Sequence, residues 1–352
     1  MMKVATITFH WATNYGAVLQ SFALQKYLQK CGFETEIIDY VPFRIKLLTD
    51  ITWLRQRKYS EFKKEKLIKK FRKKELKLSE KRYRSGKSLK TGSFDYDYII
   101  SGSDQVWNKN FTLNLDGKPN LSYFLDFADK NKKAIKLAYA VSFGANHMPD
   151  EYYDLVRPFA GDFQAISVRE ETALSIVEQM GKRATVVCDP TLLLDRSDYE
   201  GIIENKQYRC GKVFSYILHN NQHIAHLITE EVKKIYGESD EPLSQVDMYE
   251  WLYRIKNSEI VVTNSFHGMM MSLIFNTSFI VVPVEGSDMN DRIATILKVV
   301  NFENRIVTGF EEENIRLLCA EKIDWEQVNR ALTQYGYTGK EFLLSNLKIK
   351  PV

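Results

Sequence analysis

Short apolar runs alternate with amphipathic stretches along most of the chain. The runs are rich in β-branched residues, as in buried strands, and the stretches between them carry apolar residues three or four positions apart, as in helices that cover a sheet. Strand–helix alternation of this kind builds parallel sheets with helices on both faces. The predicted strands cover residues 4–9, 35–40, 96–101, 137–142, 165–168, 185–188, 212–218, 260–263 and 279–282. The predicted helices cover residues 17–30, 170–180, 224–236, 246–255, 269–275, 291–300 and 324–344.

The pattern occurs in both halves of the chain. We therefore predict an α/β fold of two Rossmann-like domains, whose parallel sheets face each other across a cleft. Polar residues and Gly201 interrupt the pattern between residues 195 and 210, and a chain of 352 residues is long enough for two domains of ordinary size. The predicted domains are residues 1–200, with a basic helical insertion at about 55–90, and residues 201–352, which end in a helix.

One stretch, VVTNSFHGMMMSLIFNTSFIVVP at residues 261–283, combines a nearly apolar run with an ionisable side chain. Polar residues interrupt it too often for a helix in lipid, and the pattern indicates strand, turn, helix and strand. His267 and Gly268 then lie at the carboxyl end of a parallel strand and at a helix N-terminus, where α/β proteins bind ligands and where anions are favoured. His267 is either a hydrogen-bonded core histidine or an acid/base group facing an anionic substrate. Gly268 lets a ligand approach the backbone closely.

Composition excludes several classes of protein. Apolar residues make up 44% of the chain and charged residues 27%, which is typical of folded proteins that are neither disordered nor membrane bundles. The N-terminus has no pattern of a signal peptide, so we expect a cytoplasmic protein. The four cysteines are far apart and have no C-x-x-C spacing, so they predict neither a zinc site nor a disulfide framework.

Cofactor motifs are missing from the sequence. The loop TNYGAV holds one glycine and does not form a G-x-G-x-x-G dinucleotide motif, and no G-x-x-x-x-G-K-[ST] phosphate loop occurs. These observations disfavour NAD and ATP chemistry, and we expect no cofactor. His219, His223 and His226 would share a helix face only if one helix ran through HNNQH, which is a poor helix start. We therefore predict no metal site.

A basic segment runs from Arg55 to Lys90. It holds 17 Lys or Arg and 4 Glu, a local net charge of +13, so the rest of the chain sums to −9 against a total of +4. A rough apolar stripe runs through the segment, as in a basic helix on an anionic surface. The segment is either a solvated helix or a contact with an anionic membrane surface or lipid-diphosphate substrate; a nucleic acid is not expected, because no nucleic-acid-binding module accompanies it. The stripe consists of Phe62, Leu67, Ile68, Phe71 and Leu76.

Six motifs follow one another in a fixed order over most of the chain. They are ITFHWATNYGAVLQSFALQKYL at 7–28, DYIISGSDQVWN at 97–108, YAVSFGAN at 139–146, SVREETALSIV at 167–177, CDPTLLL at 188–194 and VTNSFHGMMMSLIFNTSFIVVP at 262–283. Together they resemble the polysaccharide pyruvyl transferase family, and the resemblance implies a two-domain fold similar to the GT-B glycosyltransferases. It also implies transfer of pyruvyl from phosphoenolpyruvate to a sugar, which gives a cyclic ketal and releases phosphate.

Two other functions remain open. A nucleotide-sugar glycosyltransferase of the same fold would use His267 and the helix start to hold a donor diphosphate. A non-catalytic binding protein would use the basic helix as its working surface, and replacing His267 by Ala would leave its function intact. The partners expected for the pyruvyl transferase are phosphoenolpyruvate and a sugar acceptor. In one version of the hypothesis the acceptor sugar is linked to a lipid diphosphate.

The candidate site residues follow from these motifs and from the chemistry that they would perform. Asp104 either caps the next segment or binds or deprotonates a sugar hydroxyl, and Arg169 either neutralises the donor or pairs with Glu170 and Glu171 at the surface. Trp107 either stacks on a sugar or packs locally. The predicted catalytic residues are His267 and Asp104; the predicted phosphoenolpyruvate-binding residues are Arg169, Ser265, Gly268 and Arg292; the predicted acceptor-binding residues are His10, Asn14, Tyr15, Gly16 and Trp107. The C-terminal domain is thus the predicted donor side and the N-terminal domain the predicted acceptor side.

Overall fold

A computed structural model provides the structure of the protein. It describes residues 1–42, 59–109, 120–128, 134–218, 223–237, 246–284 and 290–348, with side chains from residue 63 onward in the second range. Residues 55–58 of the basic segment, the side chain of Phe62 and the whole of His219 lie outside this description. No helix in the described ranges is long and apolar enough to cross a membrane.

The chain divides into two compact units. Unit 1 comprises Met1–Phe62, Arg72–Leu193 and Tyr335–Val352, and unit 2 comprises Lys63–Phe71 and Leu194–Gln334. The main boundary, between residues 193 and 194, thus lies just before the interrupted region of residues 195–210. Two segments belong to a different unit from the one that the sequence predicted, since 63–71 is part of unit 2 and 335–352 is part of unit 1.

Unit 1 is built on a six-stranded parallel sheet, as the alternation of strands and helices predicted. Its strand order is β2-β1-β3-β4-β5-β6. The chain leaves β1 toward β2 and then returns to the other side of β1 with β3, so the strand order reverses between β1 and β3, where open α/β sheets bind ligands. The strands are β1 (Lys3–Ile7), β2 (Glu34–Ile37), β3 (Tyr98–Ser101), β4 (Ile135–Val141), β5 (Ala165–Val168) and β6 (Ala184–Val186).

Unit 2 is built on a parallel sheet with the order β7-β8-β9. The strands are β7 (Val213–Tyr216), β8 (Ile260–Thr263) and β9 (Ser278–Val281), and an isolated parallel bridge between Val281 and Ile306 extends the sheet beyond β9. All residues of β8 are buried, as expected for the central strand of a sheet with both faces covered. The structure thus confirms the prediction of two parallel α/β sheets.

Twelve helices cover the two sheets in the described residues. Those of the first half are α1 (Tyr15–Lys30), α2 (Tyr59–Glu75), α3 (Gly86–Lys90), α4 (Asp150–Ala160), α5 (Thr172–Gln179) and α6 (Arg196–Ile203). Those of the second half are α7 (His223–Tyr236), α8 (Met248–Asn257), α9 (Phe266–Phe275), α10 (Asp291–Val299), α11 (Glu312–Ala320) and α12 (Trp325–Asn346).

The helices α3, α4, α6 and α11 were not predicted as such. For α6 the reason is specific, because the polar residues that we interpreted as a domain boundary are its start. Asp195 and Asp198 form a capping box, in which each side chain accepts from the backbone N–H of the other residue. Such caps satisfy N–H groups that a helix start leaves without partners. A polar cluster between apolar runs therefore marks a helix start as readily as a linker.

The basic helix α2 buries its apolar side inside the protein. Ile68 and Phe71 are fully buried, and the Phe71 ring packs on Tyr249 of unit 2 with 5.3 Å between centroids. Leu76, just after the helix, is also buried. Three residues of the apolar stripe, Ile68, Phe71 and Leu76, therefore contribute to the core and do not face outward as in an amphipathic membrane helix.

The end of α12 packs in unit 1. Its residue Thr338 accepts a hydrogen bond from the Cys188 backbone N–H at 3.1 Å, and the ring of Phe342 lies 6.1 Å from that of Tyr139 on β4. Leu343 is fully buried. Apolar burial at these positions explains why the last residues complete unit 1 and not the C-terminal domain in which the sequence placed them.

Candidate functional site

His267 lies at the carboxyl edge of the unit 2 sheet. The strand β8 ends at Thr263 and α9 begins at Phe266, so His267 is the second residue of the helix. Its side chain is nearly buried, with 6% of the residue exposed, and its ring stands edge-on to that of Phe266 at 5.0 Å and 89°. Ser265 caps the helix, because its hydroxyl accepts from the Gly268 N–H at 3.3 Å. A titratable ring therefore occupies the first turn of a buried helix, beside the backbone N–H groups that favour an anion.

Gly268 is required by packing within unit 2. A Cβ atom at this position would lie 2.6 Å from the Thr263 hydroxyl oxygen and 3.2 Å from a ring carbon of Tyr216. Real Cβ atoms do not approach other atoms so closely, so α9 can sit on the ends of β7 and β8 only with glycine here. The structure thus gives Gly268 a reason other than the close approach of a ligand that we predicted.

Side-chain hydrogen bonds of Thr263 and Asn264 fix the turn between β8 and α9. The Thr263 hydroxyl donates to the Tyr216 carbonyl at 2.6 Å and accepts from the Ser265 N–H at 3.0 Å. The Asn264 carboxamide accepts from the Leu218 N–H at 2.7 Å and donates to the Leu218 carbonyl at 2.6 Å. These bonds tie the turn to the end of β7 and hold the start of α9 in place. Asn264 lies inside the motif VTNSFHG but was not predicted as a site residue.

Arg292 belongs to the same edge of unit 2. It lies in the first turn of α10, and its guanidinium carbon is 5.6 Å from the centroid of the Phe266 ring. Phe266 thus has the imidazole of His267 and the guanidinium of Arg292 as neighbours. The structure brings together His267, Ser265, Gly268 and Arg292, which the sequence predicted for one site.

His10 is buried in unit 1 beside a carboxylate. Its ring nitrogens lie 3.2 Å from the Thr8 carbonyl and 3.2 Å from the Asp39 carboxylate, and Arg82 donates to the same carboxylate at 2.6 Å. Burial raises the pKa of Asp39, but hydrogen bonds from His10 and Arg82 lower it more, so it lies below its ordinary value. Only 1% of His10 is exposed, so this residue shapes the loop after β1 from inside.

The other residues of this loop form the start of α1. The Asn14 side chain accepts from the N–H groups of Gly16 and Ala17 at 2.8 and 3.2 Å, and Asn14 is therefore the N-cap of the helix. Tyr15 and Gly16 follow as its first two residues and are buried. The motif NYG thus encodes a capped helix start at the carboxyl end of β1, where the sheet reverses its strand order.

Hydrogen bonds between side chains link the ends of β1 and β3 to α1 at the place where the strand order reverses. The Thr8 hydroxyl donates to the Ser103 carbonyl at 2.8 Å, and Gln20 of α1 donates to the Thr8 hydroxyl at 2.9 Å. Within the described part of the chain, the buried Ser103 hydroxyl and the side-chain amide oxygen of Gln20 have no hydrogen-bond partner. None of these residues was predicted for the site, although Thr8, Gln20 and Ser103 lie inside the motifs ITFHWATNYGAVLQSFALQKYL and DYIISGSDQVWN.

Trp107 corrects one prediction. It is fully buried, its ring is stacked on Phe124 with 4.4 Å between centroids, and its indole N–H donates to the Tyr123 carbonyl at 3.1 Å. Phe143 and Phe163 pack edge-on against it. No face of the ring is left for a sugar, so Trp107 belongs to the core of unit 1 and not to an acceptor site.

Asp104 stands on an unusual backbone at the end of β3. Its φ is +82°, a left-handed conformation that costs energy in residues other than glycine and is often found at functional sites. Its backbone forms an isolated bridge with Val141 at the end of β4, and its carboxylate accepts from the Gln105 N–H at 2.9 Å. The side chain is 16% exposed. Asp104 is therefore held rigidly and still reaches the surface of unit 1.

Arg169 is an internal partner of carboxylates. Its side chain is 2% exposed and donates to Asp189 at 2.6 Å, and a second nitrogen lies 3.7 Å from the Asp104 carboxylate. Burial alone lowers the pKa of Arg169, but Asp189, Asp104 and Glu170 raise it above its ordinary value. More than one carboxylate thus balances one guanidinium. This arrangement argues against direct neutralisation of an anionic donor. The alternative prediction, a surface pair with Glu170 and Glu171, is also wrong, because Arg169 is buried.

Asp189 was missed although it lies in the motif CDPTLLL. Its carboxylate has no exposed surface, and it accepts from the Thr191 N–H and hydroxyl at 3.0 and 2.7 Å as well as from Arg169. Its position after β6 brings it to the carboxyl edge that also holds Asp104. In the described residues no group of His, Cys, Asp or Glu side chains is arranged to hold a metal ion.

Comparison with known proteins adds a family and a fold. A family model described as polysaccharide pyruvyl transferase matches residues 14–286. A comparison with curated proteins finds no match.

Solved structures match over nearly the whole chain. The UDP-GlcNAc 2-epimerase from Neisseria meningitidis, solved bound to UDP-GlcNAc, is 11% identical, with a TM-score of 0.55 over 99% of this chain and 100% of that one. The UDP-GlcNAc 2-epimerase from Methanocaldococcus jannaschii is 14% identical, with a TM-score of 0.53 over 99% of this chain and 100% of that one. At such identities the similarity concerns the fold alone, which is α/β and GT-B-like.

Proposed function

The chain belongs to the polysaccharide pyruvyl transferase family, and on that premise we propose that it moves pyruvyl from phosphoenolpyruvate onto a sugar of a polysaccharide precursor. The product is a cyclic ketal, and phosphate leaves. The observation that carries the proposal is the edge of unit 2, where His267 lies in the first turn of α9 and the Arg292 guanidinium stacks on its neighbour Phe266. A proton-transfer group and a cation beside a helix N-terminus suit a small, doubly anionic substrate.

The reaction requires two proton movements. The methylene carbon of phosphoenolpyruvate gains a proton and becomes a methyl group, while the central carbon bonds to a first hydroxyl oxygen. The bond from this carbon to the phosphate oxygen breaks, and a second hydroxyl oxygen takes its place. Of the two hydroxyl protons, one balances the new methyl group and the other leaves with phosphate. His267 is the proposed general acid or base, since imidazole exchanges protons near neutral pH.

The proposed donor site uses charge and the helix start. Arg292 supplies a guanidinium for the phosphate or the carboxylate, and the first turn of α9 supplies N–H groups and the positive end of the helix dipole. Ser265 and Gly268 shape this start, one as the cap and the other by its close packing on Thr263.

The proposed acceptor site lies in unit 1, at the carboxyl ends of β1 and β3. Asp104, fixed by its backbone and by Arg169, is the proposed base or hydrogen-bond acceptor for a sugar hydroxyl. His10, Asn14, Tyr15 and Gly16 support the site by holding the loop after β1 and the start of α1. The proposed acceptor is a sugar carried on a lipid diphosphate.

The test is phosphate release from phosphoenolpyruvate in the absence of nucleotide, with a panel of lipid-linked and nucleotide-linked sugars and mass spectrometry of the ketal. We expect His267→Gln to lower kcat by at least about 100-fold, because a positioned proton-transfer group contributes about 10²- to 10⁴-fold. His226→Gln is the matched control, since His226 is an exposed histidine of the same unit. Sugar transfer that requires a nucleotide-linked donor would instead identify a glycosyltransferase, and a folded His267→Gln enzyme with normal turnover would remove the catalytic role.

A further inference from the structure

The outer face of α2 carries a stripe of lysines, which we call the lysine stripe. All members are exposed, and in the described residues no acidic side chain pairs with them. At about 100° per residue they occupy one side of the helix, opposite the buried Ile68, Phe71 and Arg72. The lysine stripe consists of Lys63, Lys66, Lys69, Lys70 and Lys73.

Three cations of the basic segment that follow α2 have acidic partners. Lys77 lies near Glu34 and Glu36, Arg82 donates to Asp39 at 2.6 Å, and Lys90 lies 2.7 Å from Asp126. These pairs fasten the segment after α2 onto unit 1. These three charges are partly neutralised, whereas the five charges of the lysine stripe lie together on one helix face. The chain outside residues 55–90 is net negative.

We propose that the lysine stripe docks the protein on an anionic membrane surface by charge alone. Ile68 and Phe71 on the apolar side of α2 are fully buried, and Phe71 packs on Tyr249, so these side chains are not available to insert among acyl chains. Basic residues near an anionic leaflet attract it additively and lose this attraction when salt screens the charges. Docking is therefore reversible and sensitive to ionic strength.

The composition of the stripe favours a lipid surface over a nucleic acid. Its members are all lysines, which are point charges without the fork that grips single phosphates. No aromatic side chain is exposed among them on α2 in its described part, so the face lacks the rings on which single-stranded bases stack. From Lys63 to Lys73 the stripe extends about 15 Å, which suits many dispersed headgroup charges better than one ligand.

The net charge gives the docking a direction. With +13 in residues 55–90 and −9 in the remainder, the anionic surface attracts one segment and repels the rest of the chain. Electrostatic attraction of this kind orients a protein as it approaches. The lysine stripe thus selects which side of the helix α2 faces the membrane.

The experiment is sedimentation of the full-length protein with vesicles of phosphatidylcholine alone or of phosphatidylcholine mixed with phosphatidylglycerol. We expect binding only to the mixed vesicles, and release when ionic strength rises from about 0.05 to about 0.5 M. Replacing all five lysines by Gln is expected to weaken binding by at least about 100-fold. Gln matches Lys in helix propensity, and thermal unfolding checks that the variant folds.

Two further variants separate local charge from total charge. A scattered variant that removes the same charge at exposed positions elsewhere is expected to bind nearly as well as the wild type, and an all-Arg stripe is expected to keep binding. Equal binding by the all-Gln stripe, equal binding to neutral vesicles, or binding of a single-stranded oligonucleotide but not of vesicles would each overturn the proposal. The scattered variant carries Lys26→Gln, Arg183→Gln, Lys298→Gln, Lys322→Gln and Lys348→Gln.

Discussion

At the scale of single residues, the two arginines predicted for the donor have different surroundings. Arg169 is buried and faces two carboxylates, whereas Arg292 stacks on Phe266 beside His267. Buried carboxylates already neutralise the Arg169 guanidinium, so its attraction for an anionic substrate is weakened. Removing the guanidinium would leave these carboxylates buried without a counter-charge. We therefore propose that Arg169 acts on the reaction through the position of Asp104 and that Arg292 contacts the donor directly.

Kinetics distinguish these roles. Arg292→Lys is expected to raise the KM for phosphoenolpyruvate by about 10- to 100-fold, the range for loss of a charged hydrogen bond. Arg169→Lys is expected to lower kcat with the donor KM near that of the wild type, because it disturbs Asp104. Steady-state rates of phosphate release measure both. A higher donor KM with unchanged kcat in Arg169→Lys would return Arg169 to the donor site.

At the scale of elements, the sequence specified the strands better than the boundaries of the helices. Buried strands such as β8 are short runs of β-branched residues, and this local pattern is sufficient to find them. The starts of α1 and α6 depend instead on side chains that cap backbone N–H groups, and the same polar residues are common in loops. Asn14 was consequently predicted to bind the acceptor sugar, whereas its side-chain hydrogen bonds in the structure are those of a helix N-cap.

Substitution of Asn14 tests the cap. Asn14→Ala is expected to lower the free energy of unfolding by about 1 kcal/mol, while Asn14→Asp keeps an accepting oxygen and stays close to the wild type. Denaturant unfolding measures the difference. If Asn14→Asp lost as much stability as Asn14→Ala, the cap would not explain the residue, and an increase in the acceptor KM in the stable Asp variant would show that the amide also contacts the acceptor.

The candidate site shows the same division between local and distant information. His267, Ser265 and Gly268 are neighbours in one motif, so the sequence predicted that they lie together. The contact of Arg169 with Asp189 joins residues 20 positions apart, and the contact of His10 with Asp39 joins residues 29 apart. Such pairs depend on the order of strands in the sheet, which the pattern of a single sequence does not specify.

At the scale of the whole molecule, the division of the chain differs from two consecutive halves. The end of α12 packs on unit 1, where a Cβ atom at Gly339 would collide with the Tyr139 hydroxyl and lie 2.7 Å from the Cys188 sulfur. The pattern of α12 predicted a helix but did not show which core it would join. The close approach of Gly339 to Tyr139 on β4 and to Cys188 after β6 shows that α12 joins the core of unit 1.

A pair of glycine substitutions tests the packing of α12. Gly339→Ala is expected to lower stability by about 1–3 kcal/mol through overpacking, and hydrogen exchange is expected to rise in β4, β6 and the end of α12. Gly201→Ala is the control, because Gly201 lies in α6 with open space around it, and alanine there is expected to stabilise the helix by up to about 1 kcal/mol. Faster exchange confined to β7, β8 and β9 in Gly339→Ala would contradict the assignment.

The membership of residues 335–352 in unit 1 has a consequence for biosynthesis. The ribosome completes residue 193 well before residue 335, with all of the main segment of unit 2 in between. At about 5–20 residues per second this interval lasts roughly 7–30 seconds. During that time the nascent sheet of unit 1 lacks the helix that covers Tyr139 and Cys188, and its apolar surface is open to chaperones or to misassembly. The speed of translation across residues 194–334 therefore sets how long the sheet of unit 1 remains without the C-terminal part of α12.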